Sequence, residues 1–367
     1  MPLAAAHRRM TPRALRHLVL LAACILPWPA HARAKPQEPA HRLSIAIKSD
    51  RLTLAVAKAT QVYLAGTIDA DAPQQFAALV KAGKIPRGSD VYLDAGGTDI
   101  DAGQALGRLL RTGEMVTHLG AAHRPGAAPR AALCTGACAY AYLGGLYRWS
   151  PAGSDRFGLR GPEIAAMKAD SHSSAATYLK AMDIETTGLE GLPTPPADDF
   201  AWIDTDRLLA WGWSNNGRLP LHANYTPSAA PMLTFTQIVR GGSNKLTVSC
   251  AADGITLTAY YLVGSERATQ LIGRANRAYF EINQQEVMPQ LTGLAHTIND
   301  AVVFSRELSL QQLGSLLTTY STGAWIKDRA GAVRYGFTMG PARVRASFPT
   351  YYADCRSALQ RAGRPLQ

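Results

Sequence analysis

The sequence has no apolar run approaching the eighteen or so residues that a membrane-crossing helix needs, so no transmembrane segment is expected. Charged residues are sparse at 18%, and the bases form no stripe interleaved with aromatics. No nucleic-acid motif is present either, so nucleic acid is not an expected partner. Cysteine is scarce, five in 367 residues, and no histidine or second pair stands at zinc-ligand spacing beside the CxxxC of Cys134 and Cys138. No metal and no cofactor are therefore expected. What remains is an ordinary globular composition, 47% hydrophobic, in a chain long enough for two or three domains.

Part of the formal charge of +11 sits at the N-terminus, where Arg8, Arg9, Arg13 and Arg16 precede the short apolar core "LVLLAACILPW". Small residues at alternate positions follow in "PAHARA". This three-part order is that of a secretory signal peptide over residues 1–34, cleaved after Ala32 or Ala34. Two other readings of the segment stay open. Leu21-Ala22-Ala23-Cys24 fits a lipoprotein box that would leave a lipidated Cys24, and the run could also be a buried first helix. Removing residues 1–34 takes away five arginines, counting Arg33, and lowers the formal charge to +6. Four cysteines then remain, Cys134, Cys138, Cys250 and Cys355, an even count that suits an oxidising compartment, periplasmic or secreted. Of the three pairings, a local Cys134–Cys138 with a long-range Cys250–Cys355 is the one expected.

Residues 35–44 read as a Pro- and Ala-rich leader. Beyond them strand and helix patterns alternate. "RLTLAVAKATQVYLAGTI" gives two strand-like runs, and "DAPQQFAALVKAGKI" an amphipathic helix. "SDVYLDAGG" is a buried strand ending in two glycines, and "DIDAGQALGRLLRTG" a helix closed by Gly113. "MVTHLG", "AALC" and "DRFGLRG" add strands, with an apolar helix from about Gly136 to Leu146. Further helices are expected near 162–182 and 204–211. Repeated crossovers of this kind build an α/β unit on a largely parallel sheet, here 45–224. After a linker at 225–232 the texture changes to alternating strands joined by Asp253-Gly254, and the 233–367 domain reads as smaller and β-rich. One helix interrupts it, opened by a capping box of Ser309 and Gln312.

Three fragments carry a family resemblance: "LDAGG" at 93–97, "ALCTGACAYAYLGGLYR" at 132–148 and "FGLRG" at 157–161. In this order they resemble the Clp protease proteolytic subunit and crotonase superfamily, in particular secreted bacterial proteins with a Clp-protease-like domain. The resemblance covers roughly residues 45–215. It implies an α/β, Clp-protease/crotonase-like domain followed by the β-rich (α+β) domain. It places the family's serine nucleophile on Gly136 and its histidine base on Arg160. Glycine offers no hydroxyl, and arginine stays protonated and cannot serve as a base. The resemblance thus implies a pseudoenzyme with no catalytic residue, acting on an unknown protein or peptide ligand. Its oxyanion hole would be the main-chain N–H groups of Gly97 and Ala137, which with Arg160 would hold an anion such as a carboxylate.

Blander readings stand beside these. Gly96 and Gly97 could form only a tight turn, Cys134 and Cys138 a staple, Arg160 an ordinary surface cation, and Gly144-Gly145 a close helix contact. Peptidase activity would need a displaced nucleophile at Thr135, Ser150 or Ser154 and a base among His118, His123 and His172. Asp198, Asp199 or Asp204 would fall near the family's orienting acid. A crotonase-like reaction on a thioester is a further reading, disfavoured by export. Relatives of this fold form rings or trimers, so a homo-oligomeric scaffold is also allowed.

Overall fold

The computed structural model of the chain describes residues 42–122, 128, 130–287, 295–331 and 333–364. The signal peptide with Ala32 and Ala34, the alternative at Cys24, residues 35–41 of the leader, and His123 lie outside the described residues.

Strand β1 (Ser44–Lys48) starts at the last leader residue and pairs antiparallel with β2 (Gln61–Thr67). Between them, the run expected as a strand from Arg51 is instead helix α1 (Arg51–Ala57). Asp50 decides this locally: its carboxylate accepts from the N–H groups of Leu52 and Thr53 and from the Thr53 hydroxyl. That is a strong N-cap, and Lys58 ends the helix in the left-handed region at φ 61°. The alternation of Leu52, Leu54 and Val56 that resembles a strand does not mark a buried face, since Leu52 and Val56 are 73% and 76% exposed.

The α/β pattern continues through α2 (Ala72–Lys81), β3 (Asp90–Gly96), α3 (Ile100–Thr112), β4 (Val116–Leu119) and β5 (Leu133–Thr135). It then runs through α4 (Ala137–Gly144), β6 (Tyr147–Arg148), β7 (Arg156–Arg160), α5 (Gly161–Ala169) and α6 (Ser174–Ala181). A 3-10 turn at Thr187–Gly191, β8 (Phe200–Ile203) and α7 (Thr205–Ala210) complete it. The strands form one eight-stranded sheet in the order β1-β2-β3-β5-β7-β8, parallel from β2 to β7 and antiparallel at its two ends. The sheet forks at β3, whose first half pairs with β4 while Ala95, near its end, pairs with Cys134 of β5. That fork brings the Gly96-Gly97 turn alongside the turn at Gly136.

One face of the sheet, with Val62, Leu64, Val91 and Leu93, is fully buried in the main core with Leu106, Leu110, Tyr140 and Leu143 of the helices. Helices α3 and α4 touch through glycine. A Cβ built on Gly144 would lie 2.3 Å from Gly107 Cα, and one on Gly103 would lie 2.3 Å from Ala137 O. No larger residue fits without separating the helices. At the end of α4, Arg111 donates to the carbonyls of Gly144, Gly145 and Met182, and buried Arg148 to those of Gly145, Gly212 and Trp213. These two guanidiniums satisfy carbonyls that the helix end leaves unpaired.

On the other face, Tyr63, Tyr92, His118 and Trp149 stack in a row across the strands, with ring centroids 4.8, 4.7 and 5.3 Å apart. Beneath the row lies buried Asp90, bonded to His118 Nε2 at 3.0 Å and to both terminal nitrogens of Arg240 at 2.9 Å. Burial alone would raise the Asp90 pKa, but the His118 and Arg240 contacts outweigh it and hold the carboxyl below its ordinary value.

The remaining chain forms two antiparallel sheets. One is six-stranded, built from β9 (His222–Thr226), β10 (Met232–Val239), β11 (Gly242–Ala251), β12 (Gly254–Leu262), β15 (His296–Ile298) and β16 (Ala301–Leu308). The other holds β13 (Ala275–Ile282), β14 (Gln285–Val287), β17 (Thr322–Asp328) and β18 (Arg334–Met339). β9 occupies residues on both sides of position 224, and its ladder with β10 places it in the second part of the chain. Helix α9 (Leu310–Thr318) opens with the Ser309–Gln312 capping box. Two helices absent from the sequence reading accompany it, α8 (Ser265–Arg274) and α10 (Phe348–Arg361). Helix α10 is fastened to β11 by the Cys250–Cys355 disulfide, and Tyr351 donates to the Val248 carbonyl at 2.8 Å. Among the described residues no helix is long and apolar enough to cross a membrane.

Candidate functional site

The site grows from two strand ends. β3 finishes at Gly96, and Gly97 follows at φ +143°, where a Cβ would lie 2.5 Å from the Ile68 carbonyl oxygen. Only glycine fits that approach. Asp99 then caps α3 by accepting from the Ala102 N–H at 2.9 Å. Next to it β5 ends at Thr135, and Gly136 turns the chain into α4 at φ 56°, ψ −121°. Cys134 and Cys138, both fully buried, clamp this turn through a disulfide with Cα atoms 5.1 Å apart.

The two turns are bonded directly to each other. The Ala137 N–H donates to the Gly97 carbonyl oxygen at 2.9 Å. A Cβ on Gly136 would sit 2.2 Å from that same oxygen. The volume a nucleophilic side chain would enter is therefore taken by the Gly97 carbonyl, and one of the two expected oxyanion donors is already engaged. Gly97, Gly136 and Ala137 are all buried.

Arg160 ends β7 and caps α5, and its guanidinium lies 5.8 Å from the centre of the Phe200 ring, its neighbour in the β7–β8 ladder. Of the expected anion-holding set, Gly97 and Ala137 thus meet through the Gly97 carbonyl, while the Arg160 guanidinium lies near the Phe200 ring and also pulls on the Glu163 carboxyl. The side-chain atom nearest the Gly136 position belongs instead to Glu163, whose Oε1 is 3.7 Å from a Cβ built there. Sequence reading passes over Glu163, because an acid in the first turn of a helix is ordinarily a favourable charge for the helix dipole.

Here it is not an exposed charge. Glu163 is 9% exposed, and neither carboxylate oxygen has a hydrogen-bond partner among the described residues. Burial pushes its pKa up from 4.5 to about 7, against a smaller downward pull from the Arg160 main-chain N–H and guanidinium. The Tyr140 hydroxyl, which Glu163 faces, is also buried without a partner among the described residues, as is the Gln104 side-chain nitrogen on α3. Gln104 is fixed on its other side, where its oxygen accepts from Ser174 at 3.1 Å.

The other candidates are placed elsewhere. Thr135 is the last residue of β5, opposite Gly158 in the β5–β7 ladder. Ser150 donates to Asn216 Oδ1, and Ser154 and His172 are exposed. His118 is held in the aromatic row by Asp90. Asp199 accepts from the Phe200 N–H, and Asp204 caps α7. No group of three or more metal-ligating side chains gathers among the described residues.

No family model matches this sequence, and no curated protein does. Among solved structures, a ClpP1 mutant from Listeria monocytogenes aligns with 45% of this chain and 94% of its own, at 13% identity and a TM-score of 0.31. A protein described as an enoyl-CoA hydratase from Streptomyces avermitilis aligns with 47% of this chain and 66% of its own, at 12% identity and a TM-score of 0.27. The chain itself is a mixed α/β protein, with one largely parallel sheet and two antiparallel ones.

Proposed function

We propose that this is an exported, catalytically silent protein of Clp-protease-like sequence, whose α/β part acts by binding a protein or peptide partner. The observation that carries the reading is the contact between the two turns. A side chain at Gly136 would collide with the Gly97 oxygen, and the Ala137 N–H is bonded to that oxygen. Acyl transfer needs a nucleophile, a base and free donors for the developing oxyanion. Arg160 stands where the resemblance puts the base, and a guanidinium does not accept a proton at neutral pH. Two disulfides add support for an oxidising compartment. In this arrangement the Ala137 N–H, expected with Gly97 and Arg160 to hold a carboxylate, is bonded to the Gly97 oxygen.

The test is exposure of the purified protein to a fluorophosphonate probe, with parallel incubation of a casein-like polypeptide. Neither covalent labelling nor cleavage is expected. Labelling at Thr135 or at any serine would establish a displaced nucleophile and overturn the proposal.

A further inference from the structure

Glu163 stands at the third residue of α5 with its carboxyl directed at the head of α4. Because Gly136 has no side chain, nothing on that residue separates the two. From α4 the carboxyl is faced by Tyr140, and from the end of β7, where it caps α5, by Arg160. The α6 helix and the 3-10 turn, which also pack on α5, contribute buried Ala175, Tyr178 and Leu189, with the Tyr178 hydroxyl committed to the Tyr140 carbonyl. Lys180 and Glu190 on those two elements are exposed, as is Arg156 on β7.

A neutral carboxyl tolerates such a place, but a carboxylate with the Arg160 main-chain N–H and the Tyr140 hydroxyl near it, and no close hydrogen bond, is poorly solvated there. The main-chain N–H of Ala137 opens α4, where the helix dipole favours negative charge. It is held by Gly97 O, and the residues on each side of that bond, Gly97 and Gly136, carry no side chain to oppose rotation of their peptides. We propose that Glu163 is a proton switch for this site: losing its proton draws the Ala137 N–H from the Gly97 carbonyl to the Glu163 carboxylate. The switch rests on the non-catalytic reading, because it commits to the protein's own carboxylate a donor that an enzyme would keep for its substrate. The neutral form is the closed, Gly97-bonded arrangement, and the ionised form frees the Gly97 carbonyl.

The experiment is a titration of the isotope-labelled full-length protein by NMR, from about pH 5 to about pH 9, spanning the carboxyl and histidine ranges. The Glu163 carboxyl carbon and the Ala137 amide are followed together. Both are expected to move in one shared step near pH 7, and Glu163→Gln is expected to abolish the step at Ala137. A Glu163 midpoint in the ordinary carboxylate range, or an Ala137 amide that stays still while Glu163 titrates, overturns the switch. So does a step at Ala137 that persists in Glu163→Gln. If that variant does not fold, the two wild-type curves decide alone. Fluorophosphonate labelling of the wild type would end the non-catalytic reading without altering these curves, so the two failures are distinct.

Discussion

Restoring a side chain at Gly136 tests the central contact most directly. Gly136→Ala adds one carbon at φ 56°, ψ −121°, a conformation costing a non-glycine residue about 1–3 kcal/mol. The new Cβ would begin 2.2 Å from Gly97 O and must move it aside, an overpacking cost of about 1–3 kcal/mol. Displacing that oxygen also weakens the buried Ala137–Gly97 hydrogen bond, about 1 kcal/mol or more. The sum is at least about 3 kcal/mol, a large share of the roughly 5–15 kcal/mol that holds a domain folded. Gly153→Ala supplies the control. Gly153 has φ +62° but nothing within 4 Å of its built Cβ, so only backbone strain of about 1–2 kcal/mol applies. Urea unfolding followed by circular dichroism would compare the two. Equal losses at both positions would refute the account, because the collision with Gly97 would then contribute nothing. Gly136→Ser should lose as much as Gly136→Ala and remain unlabelled by the fluorophosphonate, since Arg160 cannot take the hydroxyl proton.

Three other outcomes are expected. Glu163 binds its proton more tightly when folded, so its stabilising contribution is complete below about pH 4.5. It is lost as pH rises to about 7, by up to about 3 kcal/mol. Thermal melts across that range should show a decline in the wild type that Glu163→Gln lacks. Replacing Cys250 and Cys355 together with alanine opens a 105-residue loop, for which chain entropy predicts about 4–5 kcal/mol, measurable in denaturant titrations. Arg240→Ala strips two contacts from buried Asp90 and should cost about 1–3 kcal/mol; a double-mutant cycle with Asp90→Asn checks this, and zero coupling would count against the ion pair.

Much of the element order was legible because local chemistry and tertiary context agree over these stretches. Apolar spacing along 100–112 marks the buried side of α3, and Ser309 with Gln312 marks the start of α9. Where the two conflict, pattern misleads. Leu52, Leu54 and Val56 alternate like a strand, yet the Asp50 cap makes a helix of them. Helix α10 buries Phe348, Tyr351, Cys355, Ala358 and Leu359 at helical spacing, but tyrosine, cysteine and alanine make that stripe a weak apolar signal, and the helix is held by the bond from Cys355 and by the Tyr351 contact.

What the sequence determined by itself is chemical identity at fixed positions: no hydroxyl at 136, a permanent cation at 160, and four cysteines in the described residues. These are properties of single residues and need no fold to be true. Only the tertiary structure decided what those positions touch. The Gly97 carbonyl meets Ala137 because β3 forks and lays two distant turns side by side. Glu163 becomes a buried acid without a close hydrogen bond because the first turn of α5 brings its carboxyl beside the Gly136 turn, and solvation depends on every neighbouring element at once.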